Sequence, residues 1–322
     1  MTGAPRYQAG LHRYAVLVAC STLALIFAGG LVTSTGSGLS VPDWPLSFGK
    51  LMPEMRGGVL FEHGHRMIAT TVGVLTIGLV VFLRYRDSRP WVRRLGYAAL
   101  GLVVLQGALG GLTVLLQLPL AVSVAHAGTA ELCFGLATAI ALFTSRGWLE
   151  ADGGVADGGA PPLRTLALAT VVVVYAQILL GALVRHSGAG LAIPDFPLSY
   201  GRLVPPLGSL LVAYHFAHRV GALVASAFIL WTVVRVLRDH AAVTPLRRPA
   251  LALVALLALQ VYLGALTVWS RKAVMPTTLH LLSGALIFAT TIVLALRAQR
   301  LLAPAAARET ATGGAVAGSL AA

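Results

Sequence analysis

The chain has 322 residues, of which 57% are hydrophobic and only 11% are charged, and its mean hydropathy is +0.83. A water-soluble domain carries about 25% charged residues, so this composition excludes a soluble protein and predicts an integral membrane protein. The formal net charge of +13 could indicate a nucleic-acid partner. The distribution of the basic residues along the chain decides whether it does.

Eight apolar stretches each have the length of about 20 residues that a helix needs to cross a bilayer. They lie near residues 13–33, 60–83, 94–116, 119–144, 163–184, 209–234, 248–270 and 275–297. The charge-free run from Leu95 to Ala130 is too long for one span, and Gln117-Leu118-Pro119 is its predicted turn. We therefore predict an all-α, multi-pass protein of the cell membrane with eight transmembrane helices.

The basic residues follow the topology of these spans. Sixteen Lys and Arg residues fall on the side of the N-terminus, and six fall on the opposite side, at Lys50, Arg56, Arg185, Arg202, Arg271 and Lys272. Positive residues concentrate on the cytoplasmic side of membrane proteins, so both termini are predicted to be cytoplasmic. The net charge is thus a sign of topology, and no nucleic-acid partner is expected.

The two halves of the chain are copies. Residues 36–53 read GSGLSVPDWPLSFGKLMP and residues 188–205 read GAGLAIPDFPLSYGRLVP, with 11 of the 18 positions identical. Each half has four spans, so both insert in the same orientation, and we predict two tandem, pseudo-symmetric four-helix bundles. The predicted divisions are an N-terminal bundle, a flexible cytoplasmic linker, a C-terminal bundle and a disordered tail, at residues 1–149, 150–162, 163–302 and 303–322.

Four histidines occupy matched positions in the two halves, at His65, His126, His218 and His280. Each lies near the outer start of its span, which predicts sites near the outer face of the membrane. A lone membrane histidine is often a packing residue, but ionisable groups at this depth are costly and mark functional sites. Two histidines in each bundle fit a haem with one imidazole on each face, whereas zinc needs three or four converging ligands.

Polar neighbours of the histidines differ between the halves. Glu62 precedes His65 by three residues and shares its helix face, while the equivalent position in the second half is His215. An acid beside a haem can move protons or orient water, but an ion pair with Arg66 also accounts for it. Arg66 and Arg219 could pair with haem propionates. The roles of other polar residues stay open, including those of His63, His215, Glu131, Asp43 and Asp195, where each Asp is a structural turn or a ligand contact.

At these residues the chain resembles the haem A synthase family, the membrane enzymes that make haem A for cytochrome oxidases. The resemblance covers about residues 13–297 and rests on the doubled Gly-x-Gly-Leu…Pro-Asp-aromatic-Pro-Leu loop and on the histidine motifs Glu62-x-x-His65-Arg66, His218-Arg219, His126 and His280. It implies oxidation of the C8 methyl of haem O to a formyl group through hydroxylated intermediates, with oxygen taken from water.

The resemblance also implies a division of labour. The C-terminal bundle would hold a resident haem b through His218 and His280. The N-terminal bundle would bind the substrate, haem O, through His65 and His126, with Glu62 beside the reaction. Implied partners are a haem O synthase, cytochrome oxidase assembly factors and an unidentified electron acceptor, and a homo-oligomer is compatible with this interpretation.

The chain departs from some bacterial members, which carry a cysteine pair in the first outer loop. The matching positions here are Val41 and Ser47, so we expect a member of the cysteine-free class. The two cysteines of the chain, Cys20 and Cys133, lie within predicted spans, where we predict that both are buried apolar residues and not a disulfide.

Two rival functions remain. A dihaem b-type cytochrome that transfers electrons to or from quinol would hold two permanent haems, and the single acid at Glu62 speaks mildly against it. A transporter would need a polar or broken-helix site at mid-membrane, whereas the ionisable groups here cluster near the outer face.

Overall fold

The computed structural model describes residues 6–303, and its regular elements there are helical. Eight helices are long and apolar enough to cross a membrane, which confirms the prediction of an all-α, eight-span protein. They are α1 (Ala9–Ser34), α2 (Gly58–Arg86), α3 (Pro90–Leu115), α4 (Leu120–Phe143), α6 (Leu163–His186), α7 (Leu210–Asp239), α8 (Thr244–Trp269) and α9 (Val274–Leu301). A short helix, α5 (Arg146–Leu149), follows α4, and a 3-10 turn (Ala189–Leu191) follows α6. The predicted disordered tail, apart from residue 303, lies outside the described residues.

The turn predicted inside the long third apolar run is present. Helix α3 ends at Leu115, and Gln117 and Leu118 adopt positive φ angles of 58° and 61° before Pro119 caps α4. Because proline lacks an amide hydrogen, it is well placed at a helix start, where that hydrogen would have no helical partner. Local sequence therefore sets this boundary.

The helices of each half pack around one another. In the first half, α1 contacts α2 and α4, and α3 contacts the same two helices; in the second half, α6 contacts α7 and α9, and α8 contacts the same two. The halves meet where α1 and α4 pack against α6 and α9, a surface that we call the seam. Part of its core is formed by Ile26, Phe134, Ala285 and Ala289. The pseudo-symmetric relation of the two groups stays a prediction.

The linker between the halves makes specific contacts with the helices, and its predicted flexibility stays a prediction. Asp157 is buried and forms an ion pair with Arg235 of α7, at 3.3 Å, and accepts the Leu163 amide at 2.6 Å. Val155 accepts the amide of Ala303 and donates to the Leu301 carbonyl. These bonds satisfy polar backbone groups that composition alone leaves unassigned, so the linker packs on the C-terminal ends of α7 and α9.

The cysteine prediction is half correct. Cys133 is 8% exposed in α4. Cys20, by contrast, is exposed on the surface of α1, so the prediction that it is buried is wrong. A membrane helix can present a small apolar side chain to lipid, and hydrophobicity therefore does not reveal which face packs against protein.

Candidate functional site

The four matched histidines lie at similar positions in their helices. Each is six to eight residues from the helix start, on α2, α4, α7 and α9, at His65, His126, His218 and His280. At 1.5 Å per residue this is roughly 9–12 Å along each axis. His126 is within electrostatic range of His65, and His280 is within range of His218. The structure thus brings one pair together in each half, and ligation of a haem by these pairs stays a prediction.

Every one of these imidazoles packs against a glycine of the preceding helix. A Cβ added to the glycine would lie 3.0–3.1 Å from the ring, a contact that is too close for carbon atoms. The four contacts are Gly29 with His65, Gly110 with His126, Gly181 with His218 and Gly264 with His280. The glycines thus let each imidazole pack directly against the backbone of the preceding helix.

The pairs differ in the hydrogen bonds of their ring nitrogens. In the C-terminal half, Nδ1 of His280 lies 3.2 Å from the carbonyl of Gln260, and Nδ1 of His218 lies 3.0 Å from the Gln177 side-chain amide. The same Gln177 amide nitrogen donates to the backbone carbonyl of His218 at 2.9 Å, so this side chain fixes the position of His218. In the N-terminal half the backbone of Gln106, the counterpart of Gln260, faces the ring of His126 without a hydrogen bond of good geometry at Nδ1, and within residues 6–303 no hydrogen bond orients the ring of His65.

Glu62 is held in a network that ties α2 to the first outer loop. Its carboxylate forms an ion pair with Arg66 at 2.7 Å and accepts the amide of Val41 at 2.9 Å. In the second half, Nδ1 of His215 accepts the amide of Ile193, the position equivalent to Val41, at 3.2 Å. Glu62 and His215 therefore both accept a backbone amide of the loop that precedes their helix. The ion pair with Arg66, which was the alternative role of Glu62, is present.

The terminal nitrogens of Arg66 and Arg219 donate hydrogen bonds to the loops that precede α2 and α7. Arg66 donates to the carbonyls of Asp43 and Leu46, at 2.8 and 2.7 Å. Arg219 donates to the carbonyls of Asp195 and Leu198, at 2.6 and 2.7 Å. Only Nε of each guanidinium is without a hydrogen bond to the described residues. Binding of haem propionates by these arginines stays a prediction.

The two loop aspartates act as turn residues. Asp43 accepts the amides of Phe48 and Gly49, and Asp195 accepts those of Tyr200 and Gly201. Hydrogen bonds from these amides, with the glycine amide contributing most in each loop, hold the pKa of both carboxyls below the ordinary value of 3.8. This geometry favours the structural interpretation over contact with a ligand.

The positions that match the family's loop cysteines are buried here. Val41 and Ser47 are both fully buried, and Ser47 Oγ lies 2.8 Å from Nδ1 of His63. His63 thus has a hydrogen-bonding role beneath the loop. In this cysteine-free loop, bonds from Val41 and Ser47 to α2 hold the chain in place.

The sequence analysis did not predict Gln177 and Arg185, which lie near the histidines, and it gave no role to Glu131. Gln177 and Arg185 stand where the first half has Leu25 and Thr33, so the signal was a difference between aligned repeats. Glu131 is buried, and its Oε2 has no hydrogen-bond partner among the described residues. It shares a face of α4 with glycines that pack against α6 and α9, at Gly128 and Gly135, so it points into the seam.

Comparison with known proteins gives a consistent result. The family model COX15-CtaA, described as cytochrome oxidase assembly protein, matches residues 12–292. The heme A synthase of Symbiobacterium thermophilum is 37% identical over 251 residues, which cover 76% of this chain and 81% of the relative. The heme A synthase of Caulobacter vibrioides is 32% identical over 336 aligned positions, covering 88% and 94% of the two chains. The chain therefore belongs to the COX15-CtaA family of cytochrome oxidase assembly proteins, as the histidine motifs and doubled loops indicated.

Proposed function

We propose that this protein is a haem A synthase that oxidises the C8 methyl of haem O to a formyl group. Membership of the family and the names of the relatives support this activity. The observation that carries it further is the pattern at the histidines. Two matched pairs each pack against glycines, yet only in the C-terminal half does a side chain, that of Gln177, reach a ring nitrogen, and the first half has Leu25 at the equivalent position. A protein that held two equivalent permanent haems would need no such difference.

The difference supports a division between a resident haem and a substrate. A hydrogen bond at Nδ1 sets the tautomer and the orientation of an imidazole, and it raises the affinity of Nε2 for a metal. His218 and His280 have such partners and would hold a haem b. The ring of His65 has no such partner, so the pair of His65 and His126 would bind the iron of haem O less firmly. Weaker binding suits a substrate that must enter and a product that must leave.

The chain's own residues would serve the reaction in distinct ways. Each hydroxylation of the methyl group takes oxygen from water and releases electrons and protons. A haem held by two histidines supplies one-electron transfer. Glu62, which forms an ion pair with Arg66 on the helix of His65, would take up a released proton. Arg66 would keep this carboxylate oriented, and the electrons would pass to an external acceptor.

The proposed arrangement in the cell follows from the sequence. The excess of basic residues on one side supports cytoplasmic termini and places the histidine pairs near the outer face. We propose residues 1–149 as the substrate unit and residues 163–302 as the haem b unit, joined by 150–162. A haem O synthase that supplies the substrate and factors that assemble cytochrome oxidase would be its partners.

Haem analysis of cells tests the activity. The protein is co-expressed with a haem O synthase, and haems are extracted and separated by chromatography. Haem A or its hydroxylated precursor should accumulate only when this chain is present. His218→Ala and His280→Ala should remove the resident haem b spectrum. Recovery of haem B and haem O alone, from protein with a bis-histidine b-type spectrum, would instead support an electron-transfer cytochrome.

A further inference from the structure

The outer end of the seam carries an arginine that has no counterpart in the first half. Arg185 is the penultimate residue of α6, and Thr33 occupies the equivalent position in α1. Its Nη2 donates to the carbonyl of Gly30 at 2.7 Å and to Ser34 Oγ at 2.8 Å. Arg185, in the C-terminal half, thus forms two hydrogen bonds with α1 of the N-terminal half.

This contact lies between the two histidine sites. Ser34 Oγ is also 3.0 Å from Oγ1 of Thr278, two residues before His280 on α9. On the same helix as Ser34, Gly29 packs against His65. The outer seam therefore adjoins one matched histidine of each half.

Arg185 has donors that the described residues do not use. Its Nε and Nη1 make no hydrogen bond within residues 6–303, and no carboxylate of that range lies within ion-pair distance. The side chain is half-buried and within electrostatic range of His280. A half-buried guanidinium at the end of a membrane helix, with unused donors and no counter-ion, can be completed by an anion, so we expect an anion at this site.

The shape of the free donors identifies the anion. A guanidinium presents two neighbouring N–H groups that match both oxygens of a carboxylate. Arg66 and Arg219, the arginines next to the histidines in sequence, already donate to loop carbonyls through their terminal nitrogens. Arg185 is consequently better placed than either to take a carboxylate of a bound ligand.

We propose that Arg185 pairs with a propionate carboxylate of the haem held by His218 and His280, while its Nη2 stays bonded to α1. This inference rests on the proposed function, because it assumes a resident haem in the C-terminal half. Arg185 is then a positioning residue that links the resident haem to the helix packed against His65.

The test compares three variants of the purified holoprotein. Arg185→Gln removes the guanidinium, Ser34→Ala removes one seam acceptor but keeps the charge, and Arg202→Gln removes an exposed charge on the second outer loop. Haem loss is followed by transfer to excess apomyoglobin, and the midpoint potential is measured by redox titration. Loss of a charge-assisted hydrogen bond should raise the rate of haem loss roughly tenfold in Arg185→Gln. Its potential should fall, while Ser34→Ala and Arg202→Gln should behave as the unmodified protein does.

A second measurement leaves the chain unchanged. Unmodified apoprotein is reconstituted with haem dimethyl ester, whose propionates carry no charge. The ester should be lost about as fast as haem is lost from Arg185→Gln. Retention of the ester as firm as that of haem would overturn the proposal and would point to another anion, such as a lipid phosphate.

The remaining outcomes separate this inference from the proposed function. Normal haem retention and potential in Arg185→Gln would refute the inference alone, as would faster haem loss in Ser34→Ala, because seam packing would then be the cause. A protein whose haem spectrum does not respond to His280→Ala would refute the assignment of the resident haem together with this inference.

Discussion

Replacing Gly264 by alanine is expected to weaken the resident haem site through a single added methyl group. The new Cβ would lie 3.0 Å from Cε1 of His280 and 3.5 Å from its Nδ1. Carbon atoms prefer separations of about 3.5–4.0 Å, so the ring must retreat by roughly 0.5 Å or more. Overpacking of this kind costs about 1–3 kcal/mol, and alanine recovers about 1 kcal/mol of helix propensity.

A matched substitution isolates the clash from the change in helix propensity. Gly107 lies in α3 with no atom within 4 Å of an added Cβ. Gly107→Ala should therefore give only the gain in helix propensity and leave haem binding unchanged. Gly110→Ala, whose Cβ would lie 3.1 Å from His126, should spare the resident haem and lower conversion of haem O.

The assay combines haem content per protein with the rate of haem transfer to apomyoglobin. A clash that costs about 1 kcal/mol at the ligand, the lower end of the overpacking range, corresponds to roughly fivefold faster loss from Gly264→Ala than from Gly107→Ala. Thermal unfolding of both apoproteins shows whether the methyl group disturbs the bundle or only the site. Equal rates of haem loss from the two variants would refute the argument that glycine is required beside the ligand imidazole.

Three further changes test other parts of the site. Gln177→Leu, which installs the residue that the first half has, should speed haem loss from His218 by roughly tenfold, since a hydrogen bond to the ligand ring is lost; an unchanged rate would contradict this role. Glu62→Ala should leave haem b in place but stall turnover, and normal haem A production, measured by chromatography, would exclude a part for Glu62 in the reaction. The depressed pKa of Asp43 means that its contribution to loop stability is present above pH 3.8 and is lost as the pH falls through the lower folded-state value. Amide hydrogen exchange at Phe48, corrected for intrinsic rates, should accelerate over that acidic range, and Asp43→Asn should abolish the pH dependence.

The features that recur along the chain were predictable from sequence. The eight spans follow from apolar length, and the predicted and observed ends agree within a few residues because leaving the bilayer requires polar or turn-forming residues. The doubled loops and the four matched histidines follow from the internal repeat. The repeat also exposed the asymmetric positions, since Glu62 aligns with His215.

Only the tertiary structure decided what each side chain contacts. How each helix is rotated about its axis decides that a glycine lies beside each histidine. It also decides which loop carbonyls accept hydrogen bonds from Arg66 and Arg219. The same rotation leaves Cys20 exposed and turns Arg185 onto α1. Composition and hydropathy determine that a helix enters the membrane, but rotation is set by packing against neighbouring helices, which lie far away in sequence.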